Sequence, residues 1–171
     1  AYRQRSPEPR FGLLELETPL RSLPDFPEDG VGWTWLAANT AEAAWCNWEP
    51  AAIWPYFAER LQLLDAVFQL RGKVPGAEWA GRPADLIRNA CRVVRMFPVF
   101  PVALLPCLWQ IAFDDSQQLR EPVQELLSNH PQRAEQLERV LQDKRQSLRF
   151  AAADWLCRTP DPTLIEPLKA A

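Results

Sequence analysis

The chain has 171 residues, 47% hydrophobic and 24% charged, which is enough to bury one core or a short row of stacked helix pairs without disulfides or metal. A formal charge of −3 and a pI near 5.3 exclude a protein built chiefly to grip nucleic acid or anionic lipid, because both need a concentrated cationic surface and only a local patch is left to do that. Every long apolar run is broken by proline or charge short of the ~20 residues needed to span a bilayer, so the expected setting is cytoplasmic, with no membrane partner.

The first thirty residues carry Pro7, Pro9, Pro19, Pro24 and Pro27, too closely spaced for a long helix. They read as irregular chain, and the alternation Leu14-Glu15-Leu16-Glu17 reads as one edge strand or an arm laid across helices. Between Val31 and Trp48, four tryptophans surround an alanine-rich stretch, Thr40 to Ala44, that suits a short helix with Thr40 as N-cap. Residues 1–48 are therefore expected to form a Trp-rich arm packed on the helices. A helix follows from about Glu49 to a stop at Gly72, with Ile53, Trp54, Phe57, Leu61, Leu64 and Phe68 at helical spacing. Pro83 opens another, with Leu86, Ile87, Ala90, Cys91 and Val94 on its buried stripe and its end before Pro98. The two make a helix pair over residues 49–97.

The last seventy residues repeat themselves. Leu119, Arg120 and Leu127 return twenty-nine residues later as Leu148, Arg149 and Leu156. The apolar set Leu148, Ala151, Ala152, Trp155 and Leu156 follows the spacing of a helix with one buried face. Repeats are expected at about 101–130 and 131–158, with a truncated one at 159–171 that holds Leu164, Ile165 and Leu168. Pro122 inside the first repeat predicts a helix that starts late or kinks.

Asp114 to Arg120 and Asp143 to Arg149 each span six residues across a tight turn, a pattern that resembles HEAT repeats over about Leu104 to Ala171. The resemblance implies an all-α fold, an α-α superhelix of about six to eight helices, with Asp114, Arg120, Asp143 and Arg149 as a structural ladder between repeats. Pro122 departs from the alanine the family places there. Arg149-Phe150-Ala151-Ala152-Ala153-Asp154-Trp155-Leu156 and Trp54-Pro55-Tyr56-Phe57-Ala58 are also similar to large bacterial molybdate-metabolism-regulator-like proteins. That likeness implies a piece of a longer chain, in keeping with the absent initial methionine and the short last repeat.

Among candidate sites, Arg88, Arg92 and Arg95 lie at i, i+4 and i+7 on one helix side, extended by Arg82. They could bind an anionic partner or form a solvated face. The first sixty residues hold nine acids against five bases and could neutralise the stripe in cis. Trp33, Trp35, Trp45, Trp48, Trp54, Tyr56 and Phe57 could line a pocket or cap the first helices. His130, at a helix corner, reads as a cap, and Asp114-Asp115 as turn chemistry. Cys46, Cys91, Cys107 and Cys157 are far apart, with no CxxC, and read as buried reduced thiols rather than metal ligands. No catalytic, metal or cofactor site is expected. The expected function is a non-catalytic scaffold that binds a protein or the remainder of its own longer chain, and dimers of the isolated segment would not surprise. The alternative is a HEAT-like nucleic-acid-binding or base-processing protein, with the arginine stripe on phosphates.

Overall fold

A computed structural model describes residues 12–23, 26–38, 48–74 and 81–160. Within them the chain is all-α: α1 (Leu13–Leu20), α2 (Gly30–Ala38), a 3-10 turn (Pro50–Ala52), α3 (Trp54–Glu59), α4 (Leu61–Gln69), α5 (Pro83–Met96), a second 3-10 turn (Val102–Leu104), α6 (Leu105–Ala112), α7 (Gln117–Leu127), α8 (Arg133–Leu141) and α9 (Gln146–Arg158). The expected helix at Thr40 to Ala44, Trp45, Cys46 and nearly all of the expected truncated repeat lie outside the described residues. None of the described helices is long and apolar enough to cross a membrane.

The N-terminal segment departs from the expected irregular arm, because α1 and α2 are helices that pack on each other, with α1 also on α3 and α2 on α5. The alternation at Leu14 to Glu17 misleads since the inward residues of α1 are Leu13 and Glu17, with Leu16 and Leu20 partly buried. These positions form an i, i+3, i+4, i+7 stripe in which one inward member is a carboxylate. Pro19 lies near the end of α1, where a missing N–H costs a single backbone bond. These helices, and a break in the one expected from Glu49 to Gly72, raise the number of described α-helices to nine.

That break falls at Arg60, whose φ of −129° and ψ of 47° separate α3 from α4. Its guanidinium stacks on the Tyr56 ring, 4.3 Å from the centroid, bonds the Glu17 carboxylate, and approaches Asp29 at 3.2 Å. The Tyr56 hydroxyl donates to Glu17 Oε1 at 3.3 Å and accepts the Gly32 N–H at 3.2 Å. Burial, followed by the Glu17 charge, pushes the phenol up to about 12, so it stays a donor at neutral pH. Gly32 permits this contact, since a Cβ there would lie 2.7 Å from a Leu63 methyl and 2.9 Å from the Tyr56 ring. Tyr56→Phe keeps the ring and strands the Gly32 N–H. We expect it to lower unfolding free energy by about 1–3 kcal/mol, read as a lower urea midpoint at an unchanged slope.

Helix α4 ends in a Schellman arrangement: Gly72 N–H bonds Val67 C=O at 2.8 Å and Arg71 N–H bonds Phe68 C=O at 3.1 Å. Arg71 (φ 51°) and Gly72 (φ 73°) are both left-handed. A Cβ on Gly72 would sit 2.4 Å from the Pro83 carbonyl oxygen, so glycine serves both the turn and the close approach of α5. Helix α5 starts at Pro83 and buries the predicted stripe, together with Asn89, which donates to the Leu36 carbonyl at 2.6 Å. It lies against α2, α3, α4 and α7. Helix α6 packs on α4 and α7, and α8 on α9. The core runs along these contacts from Tyr56, Phe57 and Phe68 to Trp109 and Trp155. Helix α7 does not start late: it begins at Gln117 and runs through Pro122, with the proline buried.

Candidate functional site

The two six-residue spacings build the same turn twice. In the α6–α7 turn, Asp114 Oδ1 accepts the Ser116 N–H at 2.9 Å; in the α8–α9 turn, Asp143 Oδ1 accepts the Arg145 N–H at 2.8 Å. These are Asx turns that satisfy an N–H at the entry to the next helix. Each following arginine folds back on the turn's carbonyl oxygens. Arg120 Nη1 donates to Asp114 at 3.4 Å and Asp115 at 3.0 Å, and Arg149 Nη1 to Asp143 at 3.0 Å and Lys144 at 3.5 Å. The aspartate and arginine are thus joined through the backbone, and not carboxylate to guanidinium as a simple ladder would have it.

The carboxylates point elsewhere. Asp114 Oδ2 is buried and lies 3.0 Å from Arg71 Nη1, with no N–H aimed at it, so this contact is ionic rather than a hydrogen bond. Asp143 is gripped by Arg145, whose side chain and N–H hold its carboxyl below the ordinary range. Arg120 continues outward: its Nη2 meets Asp154 Oδ2 on α9 at 3.2 Å. Arg158, one turn beyond Asp154, bonds that same oxygen at 3.0 Å, reaches Glu121 at 3.6 Å, and donates to Gln124 Oε1. Gln124 in turn donates to the Ala112 carbonyl at 2.6 Å. Asp154, Arg158 and Gln124 therefore join α7 to α9, although the spacing pattern did not single them out. The signal available in the sequence was that acids recur twenty-nine residues apart as Glu125 and Asp154.

Burial raises the Asp154 carboxyl, but the hydrogen bond from Arg120 and the charge of Arg158 outweigh it, and the net shift is downward from 3.8. A carboxyl whose folded pKa lies below its unfolded value adds stability that is present above the unfolded value and lost as pH falls through the folded one. The melting-temperature gap between the native chain and Asp154→Asn should therefore hold near neutral pH and close between about pH 5 and pH 2.

The chain matches no protein-family model, no curated protein and no solved structure.

The arginine stripe lines a groove of about 570 Å³ between α5 and α7, with Arg158 added to it. Acids answer it: Arg82 and Arg88 both bond Asp85, at 3.0 and 2.8 Å, and Arg95 meets Glu125 at 3.1 Å. Arg92 lies 3.4 Å from the Asn89 side-chain oxygen. The acids that meet Arg82, Arg88 and Arg95 come from α5 itself and from α7. Among the described residues of the first sixty, Glu17 and Asp29 pair with Arg60.

Among the described residues the aromatic cluster is spread over several contacts rather than one pocket. Trp35 packs on Trp48 with ring centroids 5.4 Å apart, Trp54 packs on Phe97 at 6.0 Å, and Tyr56 and Phe57 are core. His130 lies at the corner between α7 and α8, where its Nδ1 accepts the Gln132 N–H at 3.2 Å on the α8 side, rather than capping the C-terminal end of α7. Its ring lies 5.6 Å from those of both Phe100 and Trp109. Burial raises the Cys91 thiol to about 12; burial and then the charge of Asp65 raise Cys107 to about 11. Both stay protonated and weakly nucleophilic near neutral pH. Cys157, expected to be buried, is exposed on α9.

Proposed function

We propose that this chain is a non-catalytic helical-repeat scaffold, an α-α superhelix of the HEAT-like kind, that engages a protein partner or the remainder of a longer chain. The observation that carries this reading is the turn built twice, with Arg120 bridging from its own turn to the next helix pair at Asp154. A repeated turn with a buried bridge to the next helix pair serves to fix the stacking of units, which is what an extended binding surface requires. The raised thiols support the non-enzymatic half, as does the use of the carboxylates of Asp114 and Asp143 in turn geometry. A segment of a larger bacterial molybdate-metabolism-regulator-like protein is the origin this proposal carries with it.

The nucleic-acid reading is weakened by Asp85 and Glu125, which occupy the guanidinium groups that phosphates would need. Titrating the full chain against fluorescein-labelled duplex and single-stranded DNA at about 50 and about 200 mM salt separates the two. The scaffold reading expects no saturable change in anisotropy at either salt. Binding at low salt that weakens about a thousandfold at the higher one would overturn it.

A further inference from the structure

Helix α6 packs on α4 and α7, and α8 on α9, but α6 and α8 make no comparable contact with each other. Between them opens a hollow of about 800 Å³, within the roughly 300–1,000 Å³ that small-molecule sites occupy. Its apolar lining comes from Trp109 and Phe113 of α6, Val140 of α8 and Leu148 of α9, the first three of them buried. The two Asx turns stand at its rim, Asp114 and Asp115 on one side, Asp143 and Arg145 on the other. The Asp115 charge acts on Arg145, so the turns face each other across the opening.

The charged lining is balanced. Arg71, Arg139 and Arg145 stand against Asp114, Asp115 and Asp143. Two pairs cancel: Arg71 lies 3.0 Å from Asp114, and Arg145 grips both oxygens of Asp143 at 3.1 and 3.3 Å. That leaves Arg139 and Asp115, both exposed. Among the described residues Arg139 donates to the Gln136 amide oxygen and meets no carboxylate, and Asp115 makes no ion pair. Two other lining residues each carry a buried polar atom with no hydrogen-bond partner: the indole N–H of Trp109, a donor, and Oδ2 of Asp114, an acceptor. Buried polar atoms are nearly always satisfied, and a ligand that brings a donor and an acceptor together offers a partner to both.

We infer that this hollow binds a small zwitterion with an aromatic side chain, an aromatic α-amino acid, with its ring on Trp109 and Phe113, its carboxylate at Arg139 and its ammonium at Asp115. A simple aromatic anion brings nothing to the three carboxylates, and an aromatic amine nothing to the three guanidinium groups. The zwitterion matches a lining of equal and opposite charge. Bound there, the amino acid touches α6, the turn that follows it and α8. The inference stands on the hollow and its charges and goes beyond the scaffold reading, which it does not need.

The test is an NMR titration of the ¹⁵N-labelled full chain, read at the Trp109 indole N–H, which the Trp109→Phe variant assigns. Four probes are compared: L-phenylalanine, 3-phenylpropionate without the ammonium, phenethylamine without the carboxylate, and L-alanine without the ring. The expected result is a saturable shift with L-phenylalanine and binding at least about tenfold weaker with each of the others. Arg139→Gln should abolish the advantage of L-phenylalanine over phenethylamine, and Asp115→Asn its advantage over 3-phenylpropionate, because each variant removes the partner of the group that the analogue lacks. Arg82→Gln, on the far side of α5, should change none of these. Absence of a saturable shift with L-phenylalanine would overturn the inference. So would binding indifferent to Arg139 and Asp115, or any of the three analogues binding as tightly as the amino acid.

Discussion

Trp155→Ala should lower the unfolding free energy by about 3–5 kcal/mol, the largest loss expected of any single substitution in the repeat region. The indole is 1% exposed and sits where α9 meets α6, with ring centroids 6.3 Å from Trp109 and 5.9 Å from Phe113. The Arg133 guanidinium lies 5.4 Å from its centroid, and Arg133 also clasps the end of α9 through Thr159. Truncation removes the ring from all of these at once and leaves a cavity that helices held by their own backbone bonds cannot close. Trp155→Phe is expected to cost far less, because the indole N–H it deletes is buried without a partner and the lost volume is smaller. Urea denaturation of the three proteins gives the order directly; a Phe variant as damaged as the Ala variant would mean the ring contacts are not the source.

Arg120→Gln is expected to cost about 3 kcal/mol, the low end of what truncating one member of a buried ion pair costs. The low end applies because Asp154 keeps Arg158 and some contact with water. The damage comes from what is left behind. The carbonyls of Asp114 and Asp115 lose their donor, and Asp154 loses its buried partner. For a chain of this length the shift in melting temperature should be about 6–12 °C. Arg149→Gln removes the same inner contacts from a half-buried site with no carboxylate at stake, and should move the midpoint by a few degrees at most. Arg120→Lys should recover little, since one ammonium cannot span two carbonyls and a carboxylate as a guanidinium does.

The helices most legible in the sequence were those whose burial is one-sided. α5 shows its stripe and its proline start, and α9 shows Ala151, Ala152, Trp155 and Leu156 at helical spacing. The turns before α7 and α9 were legible for a local reason: an aspartate two residues before the N–H it accepts, and an arginine six residues on, close their bonds within a short stretch of chain. In α1, local pattern and fold disagree, because Glu17 faces inward toward Tyr56 and Arg60, some forty residues away. A buried carboxylate looks like a surface residue until its partners are known. The break at Arg60 has the same origin: the side chain that holds Glu17 and Asp29 fixes a backbone that apolar spacing would have continued as helix.

The sequence by itself determined the helical character of α5 and α9, the return of Leu119, Arg120 and Leu127 twenty-nine residues later, and the aspartate and arginine that mark the turns before α7 and α9, because each of these is written between residues near one another in the chain. Tertiary structure alone decided where the charges go. It turned Arg120 outward to Asp154, gave Arg95 to Glu125 and Arg88 to Asp85, and left Arg149 facing out from α9. Charge partners across helices depend on which faces meet, and spacing along one helix cannot say that.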